Sequence, residues 1–408
     1  MQLIYQIKFK ILTAGYCAQT RVKVHLASQK TKITMKKFVS IAIVVLFVTA
    51  QLNAQTYSNK VVGQKHKELS DSLKATEYPY ALPILGAQVT ARGYDLPYSA
   101  GVSLGYMWQE SAIIIEDLFV GFNNGPMYDL DEIIRFNDAT STASGFNIRP
   151  DIWLFPFLDV YFLFTKANTA TAIDAGVWVP DANNEWKEVT SFSTVAEFEA
   201  TGFGFGMTPT IGVGGGFMTL DMNVTWQSIS SLDKPVMSFV FGPRMGKSFK
   251  FKNNPQSNIT FWVGGFRLHL NSETNGSIAL SDIIPTDELQ GKVDAGMETV
   301  GDTQEAVDEW WAELTPQEQA NPVNEAKYET ANRALESAGN LLNTVDGALN
   351  DEESATVQYS LNKRPKDMWN FVVGSQYQIN KHFMLRAEAG FLGSRTQVIG
   401  MVQYRFGL

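Results

Sequence analysis

Residues 383–392, FMLRAEAGFL, and 396–406, TQVIGMVQYRF, decide the fold. In the first, Phe383, Leu385, Ala387, Ala389 and Phe391 oppose Met384, Arg386 and Glu388. In the second, Val398, Val402, Tyr404 and Phe406 oppose Gln397, Gln403 and Arg405, with Ile399 and Met401 diluting the polar side. A period of two is that of a strand, whose successive side chains point to opposite faces. A third segment, 259–270, ITFWVGGFRLHL, assigns Trp262, Phe266, Leu268 and Leu270 to a greasy face and Arg267 and His269 to a polar one, which Phe261 and Val263 share.

Outward from these, the composition asks which solvent the greasy faces meet. The 408-residue chain is 45% hydrophobic, 12% aromatic and only 18% charged, with 32 Gly and one Cys. One Cys excludes a disulfide scaffold, and the apolar content excludes a disordered chain. Residues 1–54 hold eight Lys or Arg and no acid, which leaves 25 basic against 42 acidic residues in the remainder. That balance is unsuited to nucleic acid, which is bound through clustered cations. A soluble sandwich also has one greasy face per sheet, but its strands usually run to about five or six residues. Strands of 10 to 15 residues with aromatics near their ends suit a bilayer instead.

The reading is therefore an all-β protein: a closed antiparallel transmembrane β-barrel of about 12 strands, within two. The strands fall near 83–92, 98–108, 111–121, 144–154, 158–168, 199–211, 214–228, 235–248, 258–271, 368–379, 382–392 and 396–407. Closure gives every backbone N–H and C=O a partner, where an open edge in lipid would leave a row unpaired. Counting back from the last strand, tight periplasmic turns fall near 109–110, 155–157, 212–213, 249–257 and 380–381. The long connections 122–143, 169–198 and 272–367 then all lie outside the cell, the phase expected of such barrels.

The chain divides as follows. Residues 1–34 read as an upstream extension, with Met35 the expected true start. Residues 35–54, MKKFVSIAIVVLFVTAQLNA, have the charge, apolar run and small-residue exit of a signal peptide, so export and a mature terminus near Gln55 are expected. A segment at 55–82, with a short helix in 58–76, read as a periplasmic tail or else as an element tucked into the barrel, precedes the first part of the barrel, 83–285, and residues 358–408 complete it. Between them, residues 286–357 carry 17 acidic and three basic residues at helical period. Val293, Met297, Val300, Val307, Trp311 and Leu314 form one apolar stripe and Ala331, Leu335, Ala338, Leu342 and Val345 a second. Thr315, Pro316 and Glu318 supply a capping hydroxyl, a proline and an acid between the two helices. This extracellular helical hairpin is read either as a solvated cap or as a gate or partner-binding arm, for which the adjacent Trp310 and Trp311 are the candidate contacts.

Chemistry is sparse. His66, His269 and His382 fall at separate places, with no orienting constellation around any of them. Phosphate-loop, HExxH and Cys-cluster spacings are absent, so no cofactor, no metal and no catalytic residue are expected. The GVGGG run at 212–216 reads as bend glycine. The inward polar set carries the functional expectation: Arg149, Asp151, Asp221, Asn223, Arg244, Arg267, Arg386, Glu388, Gln403 and Arg405 line the lumen, either as a paired plug or as a solute path.

The terminal VQYRFGL, with Phe406 third from the end, resembles the last strand of Gram-negative outer-membrane β-barrels, whose terminal aromatic is recognised during assembly. RPDIWLFPFLDVYFLF at 149–164, LDKPVMSFVFGPRMG at 232–246 and RPKDMWNFVVGSQYQINKHFMLRAEAGFLGSRT at 364–396 look like a poorly characterised barrel family of bacterial genomes. The resemblance implies an outer-membrane location. It also implies contact with outer-membrane lipid, lipopolysaccharide and the assembly machinery, and it transfers no substrate. The functional expectation is a pore or passive transporter for small solutes. The alternatives are a structural or assembly component binding a protein through residues 286–357, or a lipid-modifying enzyme.

Overall fold

Alternating side chains and abundant β-branched and aromatic residues drive the chain into long strands, and in lipid those strands must close on one another. The computed structural model describes residues 61–230, 232, 234–270, 273–280, 286–349 and 356–408. The signal-peptide and upstream-extension readings fall outside the described residues. The strands are β1 (Ala100–Phe122), β2 (Tyr128–Asp129), β3 (Ile134–Phe155), β4 (Leu158–Pro180), β5 (Trp186–Val213), β6 (Gly216–Ile229), β7 (Val236–Phe251), β8 (Asn254–Leu270), β9 (Glu273–Ala279), β10 (Thr356–Pro365), β11 (Trp369–Gln378), β12 (Phe383–Phe391) and β13 (Arg395–Phe406). The helices are α1 (Gln64–Ala75), α2 (Gly86–Thr90), α3 (Thr286–Glu313), α4 (Pro316–Gln319) and α5 (Pro322–Leu349).

Thirteen strands form one sheet, of which β1, β3, β4, β5, β6, β7, β8, β11, β12 and β13 close the ring. The closing seam pairs β1 with β13 antiparallel from Ala100↔Phe406 to Ser111↔Arg395. The fold is thus the closed antiparallel barrel with outer helices that the alternation predicts. Two details differ. The strand expected at 83–92 is instead an N-terminal approach containing α2, and the turn expected at 109–110 is absent, because β1 runs straight through it. Gln109 pairs across the seam with Gln397, so this polar stretch belongs to a ladder and not a bend.

The tight turns lie after β3, β5, β7 and β11, and the insertion with its helices leaves from the opposite end, after β8. On that outer side the wall is uneven. β1, β3, β4 and β5 continue past the ring as a tall sheet, which β10 extends by pairing Ile113↔Pro365 through Phe122↔Val357, with β9 beyond it. Helices α3 and α5 pack on the inner face of this extension. Val293, Val307, Ala331, Leu335, Ala338, Leu342 and Val345 are buried there with Phe122, Ile134, Ala175, Val177, Val179, Val189, Leu280 and Val357. The expected apolar stripes are therefore the contact surface of the arm, except for Trp311 and Leu314, which lie outside this cluster. Thr315 Oγ1 and Glu318 form a capping box at the start of α4, and Arg333 makes a bidentate contact to Glu132 at 2.9 and 3.0 Å, fixing the arm to the wall. Trp311 stacks on Tyr328 with ring centroids 4.4 Å apart, and Trp310 lies beside it.

At the other end, residues 63–99 are tied to the periplasmic rim. Lys65 Nζ donates to the Asn253 carbonyl, His66 Nε2 lies 3.0 Å from the Phe251 carbonyl, Ile84 N–H donates to the Leu154 carbonyl, and Asp95 pairs with Lys381 at 2.7 Å. Those anchors stand on opposite parts of the ring, so the segment crosses the mouth before entering β1. Burial, helped by neighbouring Tyr80, pushes the Tyr78 hydroxyl up to about 12, and it donates to the Leu82 carbonyl at 2.8 Å.

Candidate binding chamber

The outward face is apolar around the ring. Leu104 is 55% exposed, Phe146 61% and Phe162 52%, and such side chains recur on every strand of the ring as one contiguous apolar band, which marks contact with another apolar phase. The cross-strand neighbours Val402, Leu104, Ile148, Phe164, Phe203, Trp226 and Met237 follow one another round the barrel. Aromatic pairs edge the band, with Phe251 and Tyr377 on the periplasmic side and Phe241 and Trp369 on the outer side. Among the described residues no helix is long and apolar enough to cross a membrane. The strands make the crossing.

Inside, the lumen is divided by depth. Its periplasmic half is filled by paired charges. Glu388 accepts from Arg244 Nε at 2.8 Å, Arg244 Nη2 at 2.7 Å and Trp262 Nε1 at 2.7 Å, with Arg386 at 3.6 Å and its guanidinium over the Trp262 ring. Asp221 accepts from Tyr161 at 2.5 Å and Thr208 at 3.0 Å and lies 3.6 Å from Arg244, while Asn223 donates to the Tyr161 hydroxyl. Arg149 pairs with Asp159 at 3.0 Å and lies over the Tyr161 ring. Asp151 is held by Arg405 at 2.9 Å and Gln403 at 2.6 Å. Arg149, Arg244, Arg386 and Arg405 thus face Asp151, Asp159, Asp221 and Glu388, a charge-balanced floor. Large polar side chains fit because the strand opposite them carries glycine. A Cβ at Gly374 would run into the Trp262 indole, and one at Gly206 into the Tyr161 ring.

Nine of the ten residues read as lumenal meet in or beside this floor. Arg267 does not. Phe261 and Val263 are 50% and 43% exposed while Trp262 is buried, so the faces of β8 are the reverse of those expected, and Arg267 points outward beside Trp369 and Phe241. Sequence reasoning also missed Asp159, Tyr161 and Trp262. The first two alternate with the greasy Val160, Phe162 and Phe164, and that alternation was the available signal. His66 and His382 lie at the periplasmic rim and His269 near the outer end of β8, so the three do not converge.

Above the floor the lumen turns apolar. A chamber of about 620 Å³ extends from Arg149, Asp221, Arg244, Arg386 and Glu388 up to the arm. Its walls include Phe198, Phe266, Leu268, Ile278 and Leu361, and its roof Leu289, Val293, Leu341, Leu342 and Val345. A smaller cavity of about 130 Å³ lies on the periplasmic side, lined by Asp159, Trp262, Gln403 and Arg405. Arg149, Asp221, Arg244 and Arg386 border both and form the partition.

No protein-family model matches the chain. None of the curated proteins matches it. Among solved structures, the β-domain of the Bordetella autotransporter Brka aligns at 7% identity over 75% of this chain and 99% of that one, with a TM-score of 0.31. The transport unit of the Escherichia coli autotransporter AIDA-I aligns at 9% over 85% and 99%, TM-score 0.28, and the translocator domain of NalP from Neisseria meningitidis at 10% over 84% and 94%, TM-score 0.25. On its own closure and apolar girdle, with a charged floor inside, the chain is a closed transmembrane β-barrel of the outer-membrane type.

Proposed function

We propose that the barrel binds one apolar or amphipathic molecule in the chamber beneath the helical arm, admitting it from the outer side, and that it is not a steadily open water-filled pore. One observation carries this reading: an apolar chamber of a size that suits a small ligand lies between a packed helical roof and an ion-paired floor. A water-filled pore needs a continuous polar path, and above the floor the lumen wall is predominantly apolar. The proposal contains no catalytic step.

Planar-bilayer recordings of the full chain are expected to show no steady single-channel conductance. Purified protein in phosphatidylcholine nanodiscs is expected to bind a radiolabelled long-chain alcohol saturably, above its partition into protein-free nanodiscs. Lipid tails are as apolar as the chamber wall, so affinity relative to the bilayer should stay flat with chain length and fall once the chain exceeds the chamber. Ala196→Trp, which adds a ring to the chamber wall, should remove saturable binding from a barrel that still folds. A stable ohmic conductance, or alcohol uptake indifferent to Ala196→Trp, contradicts the reading.

A second reading is that the arm docks a basic protein surface. Glu298, Asp302, Glu305, Glu309 and Glu313 form an exposed stripe along α3, and like charges at this spacing destabilise a helix, a cost that a basic partner would offset. Replacing all five by the matching amides should abolish photocrosslinks formed at Trp310 in intact cells while leaving chamber binding unchanged. Crosslinks that survive the change remove this reading.

A further inference from the structure

The charged residues lining the chamber are Arg149, Arg244, Arg386, Asp221, Glu388, Lys292 and Lys363. The first five belong to the floor, where each arginine has an acidic partner. The two lysines stand higher, among apolar side chains. On β10 the inward row runs Val357, Tyr359, Leu361, Lys363, and Lys363 sits directly across from the buried Ile115. Its ammonium donates to the Thr171 hydroxyl at 3.2 Å. Among the described residues no carboxylate lies within ion-pair distance of it.

Lys292 is one of three basic residues in the strongly acidic insertion. It lies beside Leu289 and Val293 on the face of α3 that roofs the chamber. Burial holds the Lys363 ammonium below the ordinary lysine range. An ammonium placed among apolar groups without a counter-charge is costly, and an incoming anion removes that cost.

Resting on the chamber reading above, we propose that the occupant is a single-chain aliphatic carboxylate, its head group held by Lys363 with Lys292 and its chain laid against the apolar wall below. The cation type favours this class. A phosphate group gains most from the planar fork of arginine or a cluster of backbone N–H groups, although lysine also binds it, whereas a carboxylate needs only the compact point charge that a lysine offers. A chamber of about 620 Å³ accommodates one chain.

The test uses the full chain in phosphatidylcholine nanodiscs, with radiolabelled hexadecanoate, hexadecanol and hexadecyl phosphate as probes. Hexadecanoate is expected to bind about tenfold or more tightly than hexadecanol, the range for a charge-assisted hydrogen bond. Lys363→Met should erase that preference while leaving hexadecanol binding intact. Lys363→Arg should retain most of it, and Lys292→Met should reduce it by a smaller factor. A preference unchanged in Lys363→Met overturns the proposal even if hexadecanol binds, and tighter binding of hexadecyl phosphate than of hexadecanoate overturns the choice of head group. Failure of hexadecanol itself to bind saturably to the wild-type chain overturns the chamber reading on which this one rests.

Discussion

Glu388→Gln is expected to lower the unfolding free energy of the barrel by about 3–5 kcal/mol, the range for removing one partner of a buried ion pair. The change is nearly isosteric, so it isolates charge from shape. Glu388 is almost fully buried and is the acceptor for three donors, two from Arg244 and one from Trp262, with Arg386 a second positive neighbour. Without its charge, Arg244 keeps Asp221 at 3.6 Å and the Gly242 carbonyl at 3.1 Å, and Arg386 loses its ion-pair partner. Urea-driven folding and unfolding in phosphatidylcholine vesicles measures the loss. Arg244→Gln should also destabilise, and the double variant should be less unstable than the sum of the two by about 0.5–3 kcal/mol, because they act on one contact. A loss under about 1 kcal/mol for Glu388→Gln would mean that water reaches the floor and solvates the arginines, leaving an open polar lumen in place of a partition.

This floor also shows where the sequence could be read and where it could not. The barrel, the side of the membrane on which the insertion leaves, and the helical arm all follow from hydrophobic period and connection length, because lipid and closure constrain every strand alike. On β12 and β13, whose inward positions lie largely at floor depth, one face is greasy and the other polar, and the two sides can be told apart. On β8 they cannot. Its outer half borders the apolar chamber, so Phe266, Leu268 and Leu270 are as greasy as any lipid-facing residue, and Arg267 looks like the inward side chain. In fact Arg267 sits at the outer edge of the band beside Trp369, where a long side chain can keep its stem apolar and its head in water. The same change of lumen polarity with depth conceals the chamber itself. A reading that assumes a polar interior throughout finds the floor and misses the apolar chamber above it. Lys363 is legible as the charged member of an otherwise apolar row, but only once β10 is known to pair with the part of β1 that rises above the ring.

The reversed faces of β8 give the second large effect. Val263→Arg is expected to cost about 2–4 kcal/mol in lipid refolding, the range for a cation placed on the lipid face near the bilayer midplane. Val263 qualifies by position as well as exposure. Below it, Ile259 pairs with Phe249 and Tyr377 near the periplasmic edge of the band, and above it Arg267 pairs with Phe241 and Trp369 at the outer edge, leaving Val263 halfway between, opposite Met245 and Val373. Trp262→Phe, one residue away, should act by another route. The ring stays, but its N–H to Glu388 is lost inside the floor, a change of about 1–3 kcal/mol. The two variants are separated by the bilayer, not by size of effect. A thinner membrane places Val263 closer to water and should relieve Val263→Arg, whereas Trp262→Phe answers to groups within the barrel and should be indifferent to lipid thickness. If the thickness dependence follows residue 262 and not residue 263, the strand is turned the other way, Arg267 returns to the lumen, and the partition between chamber and periplasm loses Trp262 as a member.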